Sequence, residues 1–370
     1  MFCRRDLLFV IEKKGFPEKK RIGGVLVSNP LWFAPLAAIS VAPVRDFYRE
    51  LGAGLTHTEM VSCAGLLHGN HVTRKMLPRE NESPLVLQIF GDSPEEISLG
   101  MKEALRHGAP PEAVQINMAC PVRKVMRRKE GAALLNYPEI AGSMIRMLQP
   151  LGIPVWGKIR LCGPQQPLET EEFCEVLLEA GAQHISLHGR TPAQKYAGVS
   201  DRNEVERIAR LFPGFISGSG DVYTPEDILD YLRRGCVGVL LARGAIRDPF
   251  LFPRTLAMLG YPVKKELSEP SFQFRIHVLM NLASKMLEEE GEKAAVALLK
   301  RFLGGLSRGL TGAVELRRTI GTIKDWPSLE KVVREWQLFI SERGEDYGGA
   351  SGISGTGASA GGGNPSGEKG

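Results

Sequence analysis

Eight short apolar runs alternate with helical patterns along this chain, and that alternation limits the folds open to it. The runs are Leu31–Leu36, Leu55–Val61, Pro84–Gly91, Val114–Cys120, Val155–Leu161, His184–Arg190, Phe215–Gly220 and Val237–Gly244. Helical periodicity separates them at Val44–Leu51, Thr170–Ala180, Asn203–Leu211 and Pro225–Arg234. Ser93-Pro94-Glu95-Glu96 reads as a helix start, with a serine cap, proline in the first turn and acids near the positive end of the helix. Strands that alternate with helices build parallel sheets. Eight such units over roughly 220 residues match a closed (β/α)8 barrel. An open doubly wound sheet is the competing reading, but it usually carries a glycine fingerprint at its first strand, and none occurs here.

The rest of the chain divides by texture. Residues 1–30 form a lead-in, with Arg21–Val27 read as a strand or hairpin, and 31–265 hold the barrel. Helical periodicity without strands then fills 270–345 (Ser271–Glu290, Lys293–Gly304, Val314–Thr322, Leu329–Glu342). From 346 to 370 the chain is rich in Gly and Ser and is expected to be disordered. With 43% hydrophobic residues in 370, the chain can bury a full core. It has no apolar span of about 20 residues, so no membrane partner is expected. The charged first twenty residues lack a cleavage site, and the six scattered cysteines form no C-x-x-C pair. Both features point to reduced thiols in the cytoplasm. A net charge of +5 permits a nucleic-acid partner without requiring one.

The chemistry gathers at the ends of these runs. Ala113–Pro121 reads A-V-Q-I-N-M-A-C-P and brings Asn117 and Cys120 to a strand mouth. Just beyond stand Arg123, Lys124, Arg127, Arg128 and Lys129, a cationic apron suited to a large anionic substrate. The seventh run ends in Ser219, Gly220 and Asp221, and the eighth in Ala242 and Arg243. Glycines let backbone N–H groups approach a phosphate there, and Arg243 can fork onto its oxygens. Lys158 inside a strand needs a reason, because a buried ammonium is costly. A flavin supplies one, since a cation near its N1–C2=O edge stabilises the reduced ring. Gln88 could bond the pyrimidine edge of that ring, while His188 and Arg190 could meet phosphate or substrate. His68 and His71 lack a third ligand nearby, so no metal is expected.

With these residues collected, the chain resembles the tRNA-dihydrouridine synthases, flavoenzymes that reduce uracil bases in RNA. The likeness runs from about Leu31 to Thr322 and is most specific in I-N-M-A-C-P-V-R-K-V followed by G-A-A-L-L. Supporting pieces are A-P-L-A, T-E-M-V-S, P-L-V-L-Q-I-F-G, G-K-I-R-L, H-G-R-T-P-A-Q-K-Y, G-S-G-D-V and A-R-G-A-I-R-D-P-F-L-F. R-G-L-T-G-A-V-E-L-R resembles part of the family's helical RNA-binding domain. The resemblance implies FMN contacts from Pro35, Leu36, Ala37, Gln88, Lys158, His188, Ser219, Gly220, Asp221, Ala242 and Arg243. It also implies Cys120 as proton donor and Asn117 as a contact for the base. Departures from the family pattern are Ala119 and Ala242 (usually Gly), Ser219 (usually Asn) and Phe302 (often His). The stretch after A-P-L-A, I-S-V-A-P-V-R, also lacks the common Thr-Asp pair.

The reaction so implied has two halves, reduction of FMN by NADPH or NADH and then reduction of uridine in a tRNA. A hydride reaches C6 and Cys120 gives a proton to C5; a thiol with a reference pKa of about 8.5 is mostly protonated at pH 7. The chain is expected to act as a monomer. An FMN-dependent dehydrogenase for a free pyrimidine, of the dihydroorotate type, would leave the basic run and the helical domain without a role. A non-catalytic RNA-binding relic would not need Cys120, Gln88, Lys158 and Arg243 together.

Overall fold

The computed structural model describes residues 19–308 and 310–343. The first eighteen residues and the stretch expected to be a disordered tail, 346–370, lie outside the described residues. A hairpin, β1 (Lys20–Ile22) and β2 (Val25–Val27), precedes nine parallel strands that close on themselves. These are β3 (Leu31–Phe33), β4 (Leu55–His57), β5 (Val61–Ser62), β6 (Leu85–Phe90), β7 (Ala113–Met118), β8 (Val155–Arg160), β9 (His184–His188), β10 (Ile216–Ser219) and β11 (Val239–Leu241). β4 and β5 are two pieces of one stave. Both pair with β6, β4 at Leu85 and Val86 and β5 at Ile89 and Phe90, and Thr58-Glu59-Met60 bulges between them. The result is an eight-staved (β/α)8 barrel with helices around it.

Strand periodicity sorts the side chains. In β8, Val155 and Ile159 join the shell packed beneath the helices, whereas Trp156 belongs to the cluster inside the barrel. Lys158 and Arg160 follow Trp156 at a spacing of two, so they climb the same inner face. β9 repeats the arrangement with His184, Ser186 and His188. The lower barrel is aromatic, with Trp32 and Trp156 stacked at 5.8 Å and His184 4.5 Å from Trp156. The upper barrel is polar and cationic.

The antiparallel hairpin of β1 and β2 plugs the lower end. Ile22, Val25 and Val27 pack on Trp32 and Trp156, and Trp156 donates its indole N–H to the carbonyl of Gly23 at 2.8 Å. The lead-in expected from the sequence is therefore the floor of the barrel. A floor at this end leaves the opposite mouth as the open one.

Several strands end earlier than their apolar runs. β7 stops at Met118, so Cys120 stands on the turn beyond it, and β3 stops at Phe33, which leaves Pro35, Leu36 and Ala37 in a loop. Ser40 shapes that loop by donating to the carbonyl of Ala34 and accepting from the N–H of Leu36, both at 2.9 Å. Buried Glu59 accepts from the N–H of Ala38, a residue in the left-handed region at φ 56°.

Helices Phe272–Glu290, Glu292–Leu306, Ala313–Thr322 and Trp326–Glu342 follow the barrel and pack on its side. Phe302 is buried edge-on to Phe47 at 6.1 Å, and Arg79 pairs with Glu289 at 2.6 Å. A Cβ at Gly305 would lie 2.5 Å from the Cα of Arg247, so this helix touches the backbone of the short helix Arg243–Arg247. No helix among the described residues is long and apolar enough to cross a membrane.

Candidate active site

The open mouth holds a cavity of about 290 Å³, close to the lower limit of roughly 300 Å³ for small-molecule sites. Pro35, Leu36 and Ala37 supply an apolar wall; Gln88, Asn117, Cys120, Lys158, His188, Ser219, Gly220, Asp221, Ala242 and Arg243 line the rest. Twelve residues from separate motifs thus meet in one place with Cys120. Arg123, Lys124, Arg127 and Arg128 do not line it. They are exposed on the rim beside Cys120, with Arg128 3.1 Å from Glu130.

Asn117 builds the turn that carries the thiol. Its Oδ1 accepts from the N–H groups of Ala119 (3.2 Å) and Cys120 (3.0 Å). The carbonyl of Cys120 accepts in turn from the N–H of Ala132 at 3.0 Å. Gly131, at φ 60°, must be small, because a Cβ there would lie 2.8 Å from that carbonyl oxygen. This gives G-A-A-L-L its physical meaning. Burial pushes the Cys120 thiol up, against the N–H of Val122 and the charge of Arg160, so it stays protonated at neutral pH.

The cationic side of the cavity is partly buried. Burial, with help from Arg160, pushes Lys158 down to about 7, and its only hydrogen bond among the described residues is a long one to Ser219 Oγ at 3.4 Å. His188 is pushed down to about 2, first by burial and then by Arg160, Lys158, Arg190 and Arg243. Its Nε2 is buried without a hydrogen-bond partner. A buried orphan beside cations marks a place made for a polar or anionic ligand.

Arg190, read from the sequence as a substrate contact, does not line the cavity. It is 1% exposed and bound to the carbonyls of Ala197 (3.0 Å) and Gly198 (2.7 Å) and to Asp221 (2.5 Å). Its Nε and Nη2 are taken by the protein while Nη1 is buried without a hydrogen-bond partner, and it braces the mouth from outside the cavity lining. Burial raises the Asp221 carboxyl, but the bond from Arg190, the N–H of Ser200 and the charge of Arg243 outweigh it and hold it below its usual value. Arg243 is half-exposed, 3.2 Å from Asp221, with Tyr196 and Tyr223 5.1 and 5.9 Å from its guanidinium.

Sequence reasoning passes over Arg160, Met60, Tyr196 and Tyr223, all of which line the cavity. Arg160 binds the carbonyl of Ala119 at 2.7 Å and that of Lys195 at 2.8 Å, tying the Cys120 turn to the loop after β9. A signal for it exists: Arg160 stands two residues after Lys158 and so shares its face.

Among family models, the one described as dihydrouridine synthase matches residues 32–339 of this chain. The chain belongs to that family. Its relatives include a probable tRNA-dihydrouridine synthase of Treponema pallidum (strain Nichols), 29% identical over 80% of this chain and 89% of the relative. A protein of the same name from Aquifex aeolicus (strain VF5) is 29% identical over 82% of this chain and 94% of its own length. tRNA-dihydrouridine synthase B of Pasteurella multocida (strain Pm70) is 25% identical, over 82% and 92%. The matched span takes in the barrel strands and most of the helical part, including every cavity residue named above.

Proposed function

We propose that this protein reduces uridine to 5,6-dihydrouridine in a tRNA, with FMN held in the mouth cavity and NADPH or NADH as reductant. The observation that carries the reading is the meeting of the Cys120 thiol with the half-buried Lys158 in one cavity rimmed by exposed basic side chains. The names of the relatives support the choice of tRNA as substrate.

The cavity fits a flavin on its own chemistry. His188 Nε2 is buried without a hydrogen-bond partner, and the half-buried Lys158 ammonium faces the cavity with only a long bond to Ser219 among the described residues. Pro35, Leu36 and Ala37 offer an apolar surface, and Gly220 with Arg243 offers a small backbone and a cation suited to a phosphate. Bound there, the flavin supplies the hydride equivalent that uracil C6 must receive.

The residues of the chain do the rest. Lys158 and Arg160 hold positive charge beside the cofactor, and an anionic group next to Lys158 raises its depressed pKa and restores its proton. Asn117 fixes the turn that aims Cys120, and Cys120 gives its proton to C5. Arg123, Lys124, Arg127 and Arg128 meet the tRNA backbone from the rim, where they stand exposed. A base reaches this site only after leaving its stack.

The test is direct. Unmodified tRNA incubated with the purified protein and NADPH is digested to nucleosides and weighed by mass spectrometry. Dihydrouridine that depends on the protein supports the proposal. Its absence from a flavin-loaded preparation, across tRNAs and with either nicotinamide, overturns it.

A further inference from the structure

A chain of buried hydrogen bonds leaves the Cys120 turn and runs down through the barrel. Asn117 Nδ2 donates to Gln88 Oε1 at 2.8 Å, Gln88 Nε2 donates to Gln115 Oε1 at 2.6 Å, and Gln115 Nε2 donates to Ser186 Oγ at 3.1 Å. Ser217 donates to the same Ser186 oxygen at 2.9 Å. Ser217 has then spent its only proton, so His184 Nε2, 2.8 Å away, is the donor to it. Gln88, Gln115, Ser186, Ser217 and His184 are all fully buried.

The polarity of this chain is forced. Either end of a carboxamide fits a given space, and only its partners decide which end is oxygen. The N–H groups of Ala119 and Cys120 demand an acceptor, so the end of Asn117 that faces them is its oxygen. Its nitrogen then requires the oxygen of Gln88, whose nitrogen requires the oxygen of Gln115. Gln115 is the link that closes the register at the inner end, where Ser186 accepts. It lines no part of the cavity. Its amide bonds Gln88 and Ser186, and an orphaned amide there would destabilise the barrel.

We infer that Gln115 is a positioning residue for Cys120: it holds Gln88, which holds Asn117, which holds the two N–H groups of the thiol's turn. Without Gln115, the nitrogen of Gln88 is left buried and unpaired. Gln88 then gains by swinging toward the open cavity, and the Asn117 nitrogen loses its acceptor. Only the consequence for catalysis rests on the proposed function; the mechanical claim stands on the hydrogen bonds.

The experiment uses Gln115→Met, which keeps the size and removes both bonds, and Gln115→Glu, which keeps an acceptor for Gln88. Hydrogen–deuterium exchange is followed in the full-length protein on peptides spanning Met118–Val122. Gln115→Met should speed exchange there by about tenfold, the effect expected of losing one hydrogen bond, with peptides of β10 unchanged. Alkylation of Cys120 should quicken relative to Cys162, the other half-buried thiol among the described residues. Gln115→Glu should lie nearer the parent than Gln115→Met does. Unchanged exchange at Ala119 and Cys120, an equal acceleration across the barrel, or no advantage of Glu over Met would overturn the inference. Should Gln115→Met fail to fold, Ser186→Ala takes away the inner partner of Gln115 and must loosen the same peptide if the inference holds. A second arm compares uridine reduction, expected to fall, with NADPH oxidation per bound flavin, expected to hold. Absence of dihydrouridine from the parent protein would sink the proposed function and leave the exchange result to decide the role of Gln115.

Discussion

Arg243 donates to Oδ1 of Asp221 at 3.2 Å, while Oδ2 of that carboxylate accepts from Arg190 at 2.5 Å. The two arginines are not equivalent. Arg190 is buried and bound to two carbonyls, so it pins Asp221 in place; Arg243 is half-exposed and able to turn toward a phosphate. Arg243→Ala should weaken flavin binding by about 10- to 100-fold, as loss of a hydrogen bond to a charged group does. The flavin-to-protein ratio from visible absorbance measures it. Unchanged occupancy would move the phosphate elsewhere.

Gly131 sets the position of the thiol from the other side. Gly131→Ala puts a methyl group 2.8 Å from the carbonyl of Cys120 in a left-handed residue. The backbone alone should lose about 1–2 kcal/mol, and the Cys120 turn must shift in addition. Thermal melting and the alkylation rate of Cys120 should both change. A variant with parent stability and parent thiol reactivity would mean that the turn has slack.

Lys158 gives the cofactor-free protein a specific pH dependence. Its ordinary value of 10.5 falls to about 7 in the folded state. Between those values the unfolded chain binds a proton that the folded chain lacks, so stability rises with pH across the window. Below about pH 7 the burial penalty is present in full. Lys158→Met should therefore melt higher than the parent near neutrality, with the gap closing toward pH 10.5. A gap that stays constant over that range would show that the ammonium is not desolvated.

The rim arginines should act on RNA alone. Reversing Arg127 and Arg128 to Glu should weaken tRNA binding and flatten its salt dependence by about one unit of slope for each phosphate no longer neutralised. NADPH oxidation should stay near the parent rate, because neither side chain lines the cavity. Equal loss of both reactions would make this loop a support of the barrel.

The barrel and most of its mouth are legible in the sequence because strands announce themselves by apolar runs and site residues by being out of place in them. Lys158 and Cys120 stand out in that way. Arg190 stands out too, but its partners Ala197, Gly198 and Asp221 come from a loop and a neighbouring strand end, and no spacing reveals a guanidinium already in use. The Gln88–Gln115–Ser186 bonds span strands far apart in sequence, so each residue looks like an ordinary polar lapse until the register aligns them. The run Leu55–Val61 hides a bulge because Thr58 and Glu59 are spent on side-chain bonds, Thr58 Oγ1 accepting from the N–H of Gln88 at 2.9 Å. Phe302, a departure from the family pattern, is explained by packing, since it fills the space against Phe47.

The central claim is that Cys120 is the acid. Cys120→Ala removes the thiol and leaves Asn117 its backbone partners, so the turn and the cavity should survive. The decisive measurement is the rate of dihydrouridine formation in tRNA under single-turnover conditions, with NADPH oxidation followed in parallel. The account predicts that Cys120→Ala keeps its flavin and oxidises NADPH close to the parent rate, while dihydrouridine formation falls by about 10²–10⁴. Dihydrouridine formed within a few-fold of the parent rate would contradict it.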